Sequence, residues 1–450
     1  MLEKLSFTNF KTWPKAEIEF GRITGLFGTN SSGKTSLIQF ALLLKQTKEA
    51  TDRSLSLALS GAYVDLGVYR DMVHQHQEAN NINWELTFNR NKELELVDPS
   101  KKRKDVFVSA KQISVGGSLS SRGSAAIAES LKYTLDETQF SLKPKAIGST
   151  DFELSTSHPD FKFIRTQGRV WKLPGPIKSY AFPDQARTYF QNAQFLSDLE
   201  AAFEEQLDGI YYLGPLREYP KRDYLWARSR PQDVGSRGEK AVDAILAATS
   251  SGEKRNKVSG GRLKPFQEMI AVWLREMGLI DDFKVEEIKE GSNRWQAKVR
   301  VRKGSPEVLL TDVGFGVSQV LPVITLLHYV PEGSTVILEQ PEIHLHPLAQ
   351  ANLADVIINV AINRKIQVVL ESHSEHFLLR LQTRIAEDVI SSSDVKLYFC
   401  DAPNGVSEVR RLEIDLLGSI QNWPKNFMGD SFGETVNAEL ARLKRQNSTS

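Results

Sequence analysis

The sequence has one cysteine, Cys400, among its 450 residues, no long apolar run and almost no net charge. A single cysteine excludes an intramolecular disulfide framework and a multi-cysteine zinc site, and it is typical of a reducing cytosol. The most apolar stretch, Val317 to Val330, is interrupted by polar residues and a proline, so no membrane contact is predicted. The first residues lack the basic start and apolar middle of a signal peptide, so we expect a cytoplasmic location.

The net charge of the whole chain gives no argument for a nucleic-acid partner. There are 57 Lys and Arg residues against 56 Asp and Glu, a net charge of +1. A nucleic-acid partner must therefore be argued from local basic patches. Hydrophobic residues make up 40% and charged residues 25%, which is the composition of an ordinary globular protein with a sizeable core.

The two ends of the chain have the pattern of one α/β domain. Near the N-terminus a short apolar strand, Ile23 to Phe27, is followed by a glycine loop and by helical spacing from Thr35 to about Thr47. Toward the C-terminus buried strands alternate with helices, which predicts a parallel sheet with crossover helices. The predicted elements there are helix 317–329, strand 335–338, helix 348–362, strand 366–370 and helix 375–387.

The middle of the chain differs from both ends, with Ser- and Gly-rich stretches and short alternating segments. The predicted fold class is therefore α/β, a head split in two with a mixed sheet and an inserted α+β middle region. The predicted division is an N-terminal half of the head (residues 1–90), an inserted middle region (91–290), a C-terminal half (291–400) and an accessory segment (401–450).

The strongest motif is the run from Gly28 to Thr35, which matches the P-loop pattern G-x-x-x-x-G-K-[S/T]. In such a loop glycines let backbone N–H groups surround phosphate oxygens, the lysine reaches the β- and γ-phosphates, and the Ser or Thr hydroxyl ligates Mg²⁺. The predicted cofactors are ATP and Mg²⁺. The predicted nucleotide contacts are Gly28, Asn30, Ser31, Ser32, Gly33, Lys34, Thr35 and Ser36.

Further candidate residues follow the C-terminal strands. Glu339, Gln340 and Glu342 come directly after one buried strand, and His373 follows the next. Ligands bind at the carboxyl ends of strands in open α/β sheets, so these residues are expected beside the P-loop. Glu339 and Thr35 are the predicted metal ligands, and Glu339, Gln340, Glu342 and His373 the predicted catalytic residues. A glycine turn that opens a helix, with Gly314 and Gly316, is a second potential phosphate contact.

In this order, the P-loop, glycine turn, carboxylate strand and histidine strand resemble the ATPase head of the ABC/SMC-like class. The resemblance is closest to the prokaryotic AAA-type anti-phage ATPases grouped with the overcoming-lysogenisation-defect proteins. Phrases at residues 59–67, 212–217, 339–347 and 422–424 resemble one subfamily of them, which carries a C-terminal domain of unknown function.

The resemblance implies a homodimer or larger assembly in which two ATP molecules are sandwiched between heads. Each nucleotide would lie between the P-loop of one chain and the turn around Gly314 and Gly316 of the other. ATP binding would close the dimer and hydrolysis would open it, controlling an effector protein encoded nearby.

Three departures from the class pattern bear on this expectation. Gln340 stands where the class has its general base, and an amide cannot accept a proton, which predicts slow hydrolysis unless Glu342 or His373 assists. Gly314 stands where the class has a serine. The usual glutamine loop has no unique candidate; Gln46, Gln75 and Gln77 are the possibilities.

Two other function classes stay open. One is an SMC-like DNA-repair ATPase acting on DNA ends, with DNA contacts through Lys101, Lys102, Arg103 and Lys104 or through the stripe of Lys298, Arg300 and Arg302. The other is a nucleotide-binding scaffold with little hydrolysis. Arg217 is a candidate either for a phosphate contact across the dimer or for an ion pair that holds the middle region to the head.

Overall fold

The computed structural model describes residues 1–99, 106–168, 171–258 and 260–424. The N-terminal part contains β1 (Leu2–Phe10), β2 (Trp13–Glu19), β3 (Ile23–Gly28), α1 (Lys34–Glu49), α2 (Tyr69–Met72) and β4 (Ile82–Val97). The middle contains β5 (Val106–Arg122), β6 (Ala125–Leu135), β7 (Thr138–Pro144), β8 (Phe152–Thr156), α3 (Asp184–Tyr189), α4 (Leu196–Asp208), β9 (Ile210–Leu213), β10 (Tyr224–Leu225), α5 (Ala241–Ser250), β11 (Lys254–Arg255), β12 (Lys264–Pro265), α6 (Phe266–Glu276) and β13 (Asp282–Glu287). The C-terminal part contains β14 (Arg294–Arg300), β15 (Glu307–Leu309), α7 (Phe315–Tyr329), β16 (Thr335–Glu339), α8 (Pro347–Asn363), β17 (Gln367–Glu371), α9 (Glu375–Ala386), β18 (Val395–Asp401) and β19 (Glu408–Leu412).

A six-stranded sheet joins the two ends of the chain. Its strand order is β19-β18-β3-β17-β16-β9, and all neighbours are parallel except the antiparallel pair β18 and β19. The sheet is buried on both faces, as its run of apolar residues indicates. In β16, for example, Val336 and Leu338 belong to one hydrophobic core and Ile337 to the other.

One face of this sheet is covered by α1, α4 and a seven-stranded antiparallel sheet of order β2-β1-β4-β5-β6-β7-β8. Phe40 of α1 stacks on Phe7 of β1 with ring centroids 5.1 Å apart, and lies 6.0 Å from Trp84 of β4. Helix α1 is therefore held between the two sheets, which fixes the position of the loop that precedes it.

The opposite face is covered by α5, α6, α7, α8 and α9, whose apolar residues form a second core. A small antiparallel sheet, β10-β14-β13 with β15 paired to β14, packs on the same side. Strands β11 and β12 pair with each other. Among the described residues, no helix is long and apolar enough to cross a membrane.

The predicted α/β class, with a mixed sheet and crossover helices, is confirmed, whereas the division into four segments stays a prediction. Residue 90 falls inside β4, residue 290 separates the paired strands β13 and β14, and residue 400 falls inside β18. Strand β9, in the predicted insertion, belongs to the six-stranded sheet because it pairs with β16 across more than a hundred residues of sequence.

Candidate functional site

The loop between β3 and α1 has a backbone that requires glycine at both ends. Gly28 has a φ of 139° and Gly33 a φ of 87°. A Cβ on Gly28 would lie 1.9 Å from the carbonyl oxygen of Cys400, and one on Gly33 would lie 2.6 Å from the Ser407 hydroxyl. Conformation and space therefore both exclude a side chain. The result is a tight turn at the N-terminus of α1, where backbone N–H groups favour anions.

Neighbouring segments hold this loop in place. The indole Nε1 of Trp13 donates to the carbonyl oxygen of Gly33 at 3.1 Å. Within the loop, Asn30 and Ser31 are exposed, whereas Ser32 is fully buried and its hydroxyl has no hydrogen-bond partner among the described residues. Ser36 is buried, and its N–H donates to Gly33.

Lys34 is folded back onto the loop. Its Nζ donates to the carbonyl oxygens of Thr29 at 2.7 Å and Gly28 at 3.1 Å. The side chain is buried, and this burial lowers the pKa of Lys34 while the charge of Glu371 opposes the shift. Both partners of the ammonium group are neutral carbonyl oxygens. A phosphate anion in the loop would form a stronger, charge-assisted hydrogen bond with Lys34 and could therefore replace them.

Thr35, the first residue after this lysine, contacts a carboxylate that the sequence did not single out. Its hydroxyl donates to Oε2 of Glu371 at 2.8 Å. Glu371 ends β17, lies between Leu26 of β3 and Glu339 of β16 in the sheet register, and is buried. Burial raises the pKa of Glu371, and the Thr35 hydrogen bond and the Lys34 charge oppose the shift.

Glu339 has different partners. The hydroxyl of Tyr212 in β9 donates to its Oε1 at 2.8 Å, and Nη2 of Arg217 donates to its backbone carbonyl at 3.1 Å. Burial raises the pKa of Glu339 to about 7, with a further contribution from the charge of Glu371. Arg217 is itself buried, and its Nε and Nη1 have no partner among the described residues. The guanidinium therefore supports the end of β16 from inside the protein rather than extending from its surface.

Glu342 links the turn after β16 to the end of β17. Its Oε1 accepts from the Ser372 hydroxyl at 2.7 Å and from the backbone N–H of His373 at 2.8 Å, while Oε2 has no partner among the described residues. Burial raises the pKa of Glu342. His373 is exposed on one side and enclosed by the site on the other. This partial burial lowers the pKa of His373, and the charge of Lys34 lowers it further, which favours the neutral imidazole at pH 7.

Gln340 begins the loop that follows β16, and the glycine turn lies against the same loop at His344. Gln340 has a φ of 44°, and its N–H donates to the carbonyl of Glu371 at 2.8 Å. A Cβ on Gly316 would lie 2.9 Å from the carbonyl oxygen of His344, whereas Gly314 has open space around it. The glycine turn therefore packs against the loop that follows the carboxylate strand. The nucleotide and catalytic roles of all these residues stay predictions.

Gln46, one candidate for the glutamine loop, is bonded to the backbone of the 58–64 segment. Its side chain is buried and makes four backbone hydrogen bonds: it donates to Ala58 and Val64 and accepts from Tyr63 and Val64. Both N–H donors and both oxygen lone pairs of the amide are thus used to hold the 58–64 segment against α1.

The donor set at this edge suits a hard divalent cation. The hydroxyl of Thr35 and the carboxylates of Glu371 and Glu339 supply the oxygen ligands that Mg²⁺ prefers. Among the described residues, no three His, Cys, Asp or Glu side chains are grouped closely enough to form a metal site by themselves. A cation here would therefore need phosphate oxygens and water to complete its shell, as Mg²⁺ does in nucleotide sites.

The basic stripe on β14 is largely paired with acids of the same small sheet. Lys298 contacts Glu286, and Arg300 contacts Glu307 at 2.8 Å and Asp282 at 3.8 Å. Arg302 lies beyond the end of β14 and is exposed. This mixture of charges leaves little excess positive potential for DNA phosphates. The other predicted basic patch, Lys101, Lys102, Arg103 and Lys104, lies outside the described residues.

Sequence reasoning missed Glu371 and Tyr212 and left the position of Arg217 open. A signal for Glu371 existed, because it is the last residue of a buried strand, as Glu339 is. Tyr212 had no comparable signal, since its contact with Glu339 depends on β9 pairing with β16.

Two protein-family models match the chain. The family described as "AAA domain, putative AbiEii toxin, Type IV TA system" matches residues 23–380, and a "protein of unknown function" family matches residues 390–437. No curated protein matches the sequence. Three solved structures match over most of the chain. The first is an SMC head bound to the C-winged helix domain of ScpA, with 10% identity, a TM-score of 0.45 and coverage of 92% of this chain and 98% of that one. The second is the SMC head domain from Thermotoga maritima, with 12% identity, a TM-score of 0.42 and coverage of 92% and 99%. The third is an SMC head with an extended coiled coil bound to the C-terminal domain of ScpA, from Pyrococcus furiosus, with 11% identity, a TM-score of 0.40 and coverage of 92% and 96%.

Proposed function

The chain belongs to the family of AAA domains described as putative AbiEii toxin of a type IV TA system and is a P-loop ATPase, and from this premise we propose that it is an ATP-driven switch of a prokaryotic defence system. In this proposal it binds ATP with Mg²⁺, hydrolyses it slowly and controls an effector protein supplied in trans. It works in the cytoplasm as a homodimer or larger assembly.

The observation that carries the ATP assignment is the loop from Gly28 to Thr35. It combines two obligatory glycines, a lysine held inside the turn and a helix N-terminus, and buried carboxylates stand at the ends of β17 and β16. Phosphate oxygens would replace the carbonyls of Gly28 and Thr29 as partners of Lys34, gaining a charge-assisted contact in the process. Bound Mg²⁺ would neutralise charge on the β- and γ-phosphates.

Slow hydrolysis follows from the residue types around the strand ends. Gln340 can orient a water molecule but cannot accept its proton. Glu342 carries a buried oxygen that has no partner within the described part of the chain, and His373 is exposed and favours the neutral form, so both are candidates to assist. Each would act as a weaker substitute for a general base placed directly after the metal carboxylate.

The switch part of the proposal rests on the exposed start of α7. Gly314 has open space around it, and Phe315 beside it is 38% exposed, with its ring 4.9 Å from His344 and 5.5 Å from Tyr219. A second head that contributes this surface to the γ-phosphate would bind tightly only while that phosphate is present. A separate effector is part of the proposal because the catalytic candidates in the sequence are all predicted to act on the nucleotide.

The ATP assignment is tested with Lys34→Ala, and Lys48→Ala serves as the matched control. Lys48 lies on the same helix but pairs with Asp208, away from the loop. Binding of a fluorescent ATP analogue and release of phosphate should fall in Lys34→Ala to background and stay near wild type in Lys48→Ala. If wild-type turnover is no faster than that of Lys34→Ala, the enzyme assignment is wrong.

The switch assignment is tested by sedimentation of the wild-type protein with ATP, with ADP and without nucleotide. A dimer that depends on the γ-phosphate should appear with ATP and disappear with ADP. The same mass under all three conditions would exclude a nucleotide-driven dimer, while leaving the ATP assignment intact.

A further inference from the structure

Glu371 ends β17, one of the two strands that lie directly beside β3 and its P-loop. Strand β17 runs between β3, which leads into the loop, and β16, which ends in Glu339. In the parallel register Glu371 is opposite Leu26 on one side and Glu339 on the other. It is thus one strand closer to the phosphate loop than the carboxylate that the sequence pattern selects.

The side-chain contacts separate the two acids further. Oε2 of Glu371 accepts the hydroxyl proton of Thr35 at 2.8 Å, whereas Oε1 of Glu339 accepts that of Tyr212 at 2.8 Å. Tyr212 is on β9, the neighbour of β16 on the side away from the P-loop. Glu371 is therefore bonded to the P-loop side of the sheet, while Glu339 is bonded to the opposite side.

The end of β17 is also fixed by its backbone. The carbonyl of Glu371 accepts from Gln340 N–H at 2.8 Å, and Ser372 N–H donates to Leu26 at 3.1 Å. The Ser372 hydroxyl donates to Glu342, which joins the turn after β16. These bonds fix the backbone at the end of β17, from which the Glu371 carboxylate reaches the Thr35 hydroxyl.

We propose that Glu371, together with Thr35, is the protein carboxylate that binds the divalent cation of the nucleotide, and that Glu339 supports it from a more distant position. This inference rests on the proposed ATP binding. Octahedral Mg²⁺ holds its ligands at about 2.0–2.1 Å, so two adjacent ligands are separated by about 2.9 Å. The observed 2.8 Å between Thr35 Oγ1 and Glu371 Oε2 matches that separation, so a cation can take both oxygens with little movement of either side chain.

The test measures binding of Mn²⁺, as a paramagnetic substitute for Mg²⁺, to the full chain with ATP by electron paramagnetic resonance. The variants are Glu371→Gln, Glu371→Asp and Glu339→Gln, and the matched control is Glu375→Gln, whose carboxyl is in the first turn of α9. Nucleotide affinity without metal is measured separately with a fluorescent ATP analogue in EDTA. Circular dichroism checks that each variant folds, and Glu371→Asp keeps the charge if Glu371→Gln does not fold.

Glu371→Gln should weaken Mn²⁺ binding in the ternary complex about tenfold or more, Glu371→Asp should weaken it less, and Glu339→Gln should also have a smaller effect than Glu371→Gln. Metal-free nucleotide binding by Glu371→Gln should equal or exceed that of wild type, because a negative charge near the phosphates is removed. Wild-type Mn²⁺ affinity in Glu371→Gln, or a larger loss in Glu339→Gln, would overturn the inference and leave the ATP assignment standing. Failure of the wild type to bind ATP would overturn both.

Discussion

Replacing Glu339 by glutamine should stabilise the metal-free protein at alkaline pH and leave it unchanged at acidic pH. Glu339 is 5% exposed, and burial raises the pKa of its carboxyl from an ordinary value of 4.5 to about 7. The Tyr212 hydrogen bond opposes this shift, and the charge of Glu371 adds to it. The charged form of Glu339 is thus unfavourable in the folded protein without a cation.

The sign and size of the effect follow from proton linkage. Because the folded state binds this proton more tightly than the unfolded state, the contribution to stability is full below the unfolded pKa of 4.5 and is lost as the pH rises through about 7. Each factor of ten in proton affinity is worth about 1.4 kcal/mol, so the difference amounts to about 3–4 kcal/mol at most. Glutamine has no charge to bury and still offers Tyr212 an acceptor oxygen, so Glu339→Gln should recover much of that amount above about pH 8.

Local hydrogen exchange in EDTA is the suitable measurement, because a chain of this size need not unfold in two states. Peptides covering β16 and β17 should exchange more slowly in Glu339→Gln than in wild type at about pH 8, after correction for intrinsic rates, and equally at about pH 4. Glu375→Gln, outside the buried site, is the control. Equal protection of wild type and Glu339→Gln at both pH values, or lower protection of the variant at alkaline pH, would refute the reasoning.

Three further outcomes are expected. Gln46→Ala should destabilise the protein by about 2–5 kcal/mol, because four backbone hydrogen bonds to the 58–64 segment are lost inside the core, and exchange of that segment should accelerate. Gly28→Ala should abolish nucleotide binding in a fluorescence titration, because its Cβ would lie 1.9 Å from the Cys400 carbonyl oxygen at a φ of 139°. Gln340→Glu should raise ATP turnover at least about tenfold if this residue holds the general-base position.

Each of these outcomes has its own control. Gln75→Ala, at an exposed candidate for the glutamine loop, should leave exchange of the 58–64 segment unchanged. Gly123 also has a positive φ, 63°, but open space around it, so Gly123→Ala should bind nucleotide normally. Normal binding in Gly28→Ala as well would show that the close approach to the Cys400 carbonyl is unimportant. Unchanged turnover in Gln340→Glu would place the base elsewhere, with Glu342 and His373 as the candidates.

Local patterns predicted the elements of the head well, because each buried strand and its following helix is defined by neighbouring residues. The apolar run before Gly28 and the helix from Lys34 are examples. The pairing of β9 with β16 was not predicted, since Ile210–Leu213 is a short apolar run within a long middle region and strand order depends on contacts distant in sequence.

The same limit explains the site. The P-loop motif identifies its residues by spacing alone, and the structure gives it the glycine conformations that the motif implies. The choice between two strand-end carboxylates cannot be made from spacing, because Glu339 and Glu371 each end a buried strand in the same way. Only the order β3-β17-β16 shows which of them contacts Thr35.

Three buried carboxylates at one edge of the sheet carry a consequence for nucleotide binding. Burial raises the pKa of Glu339, Glu342 and Glu371, so each is costly to ionise in the protein alone. The nearest cationic side chain of the loop, Lys34, is already bonded to backbone carbonyls, and phosphates would draw it further toward themselves. ATP alone would then add negative charge to an acidic site, whereas ATP with a divalent cation supplies the missing positive charge. Cation and nucleotide should therefore bind cooperatively, and removal of the cation should weaken ATP binding more in wild type than in Glu371→Gln, because the variant has lost the carboxylate that the cation offsets.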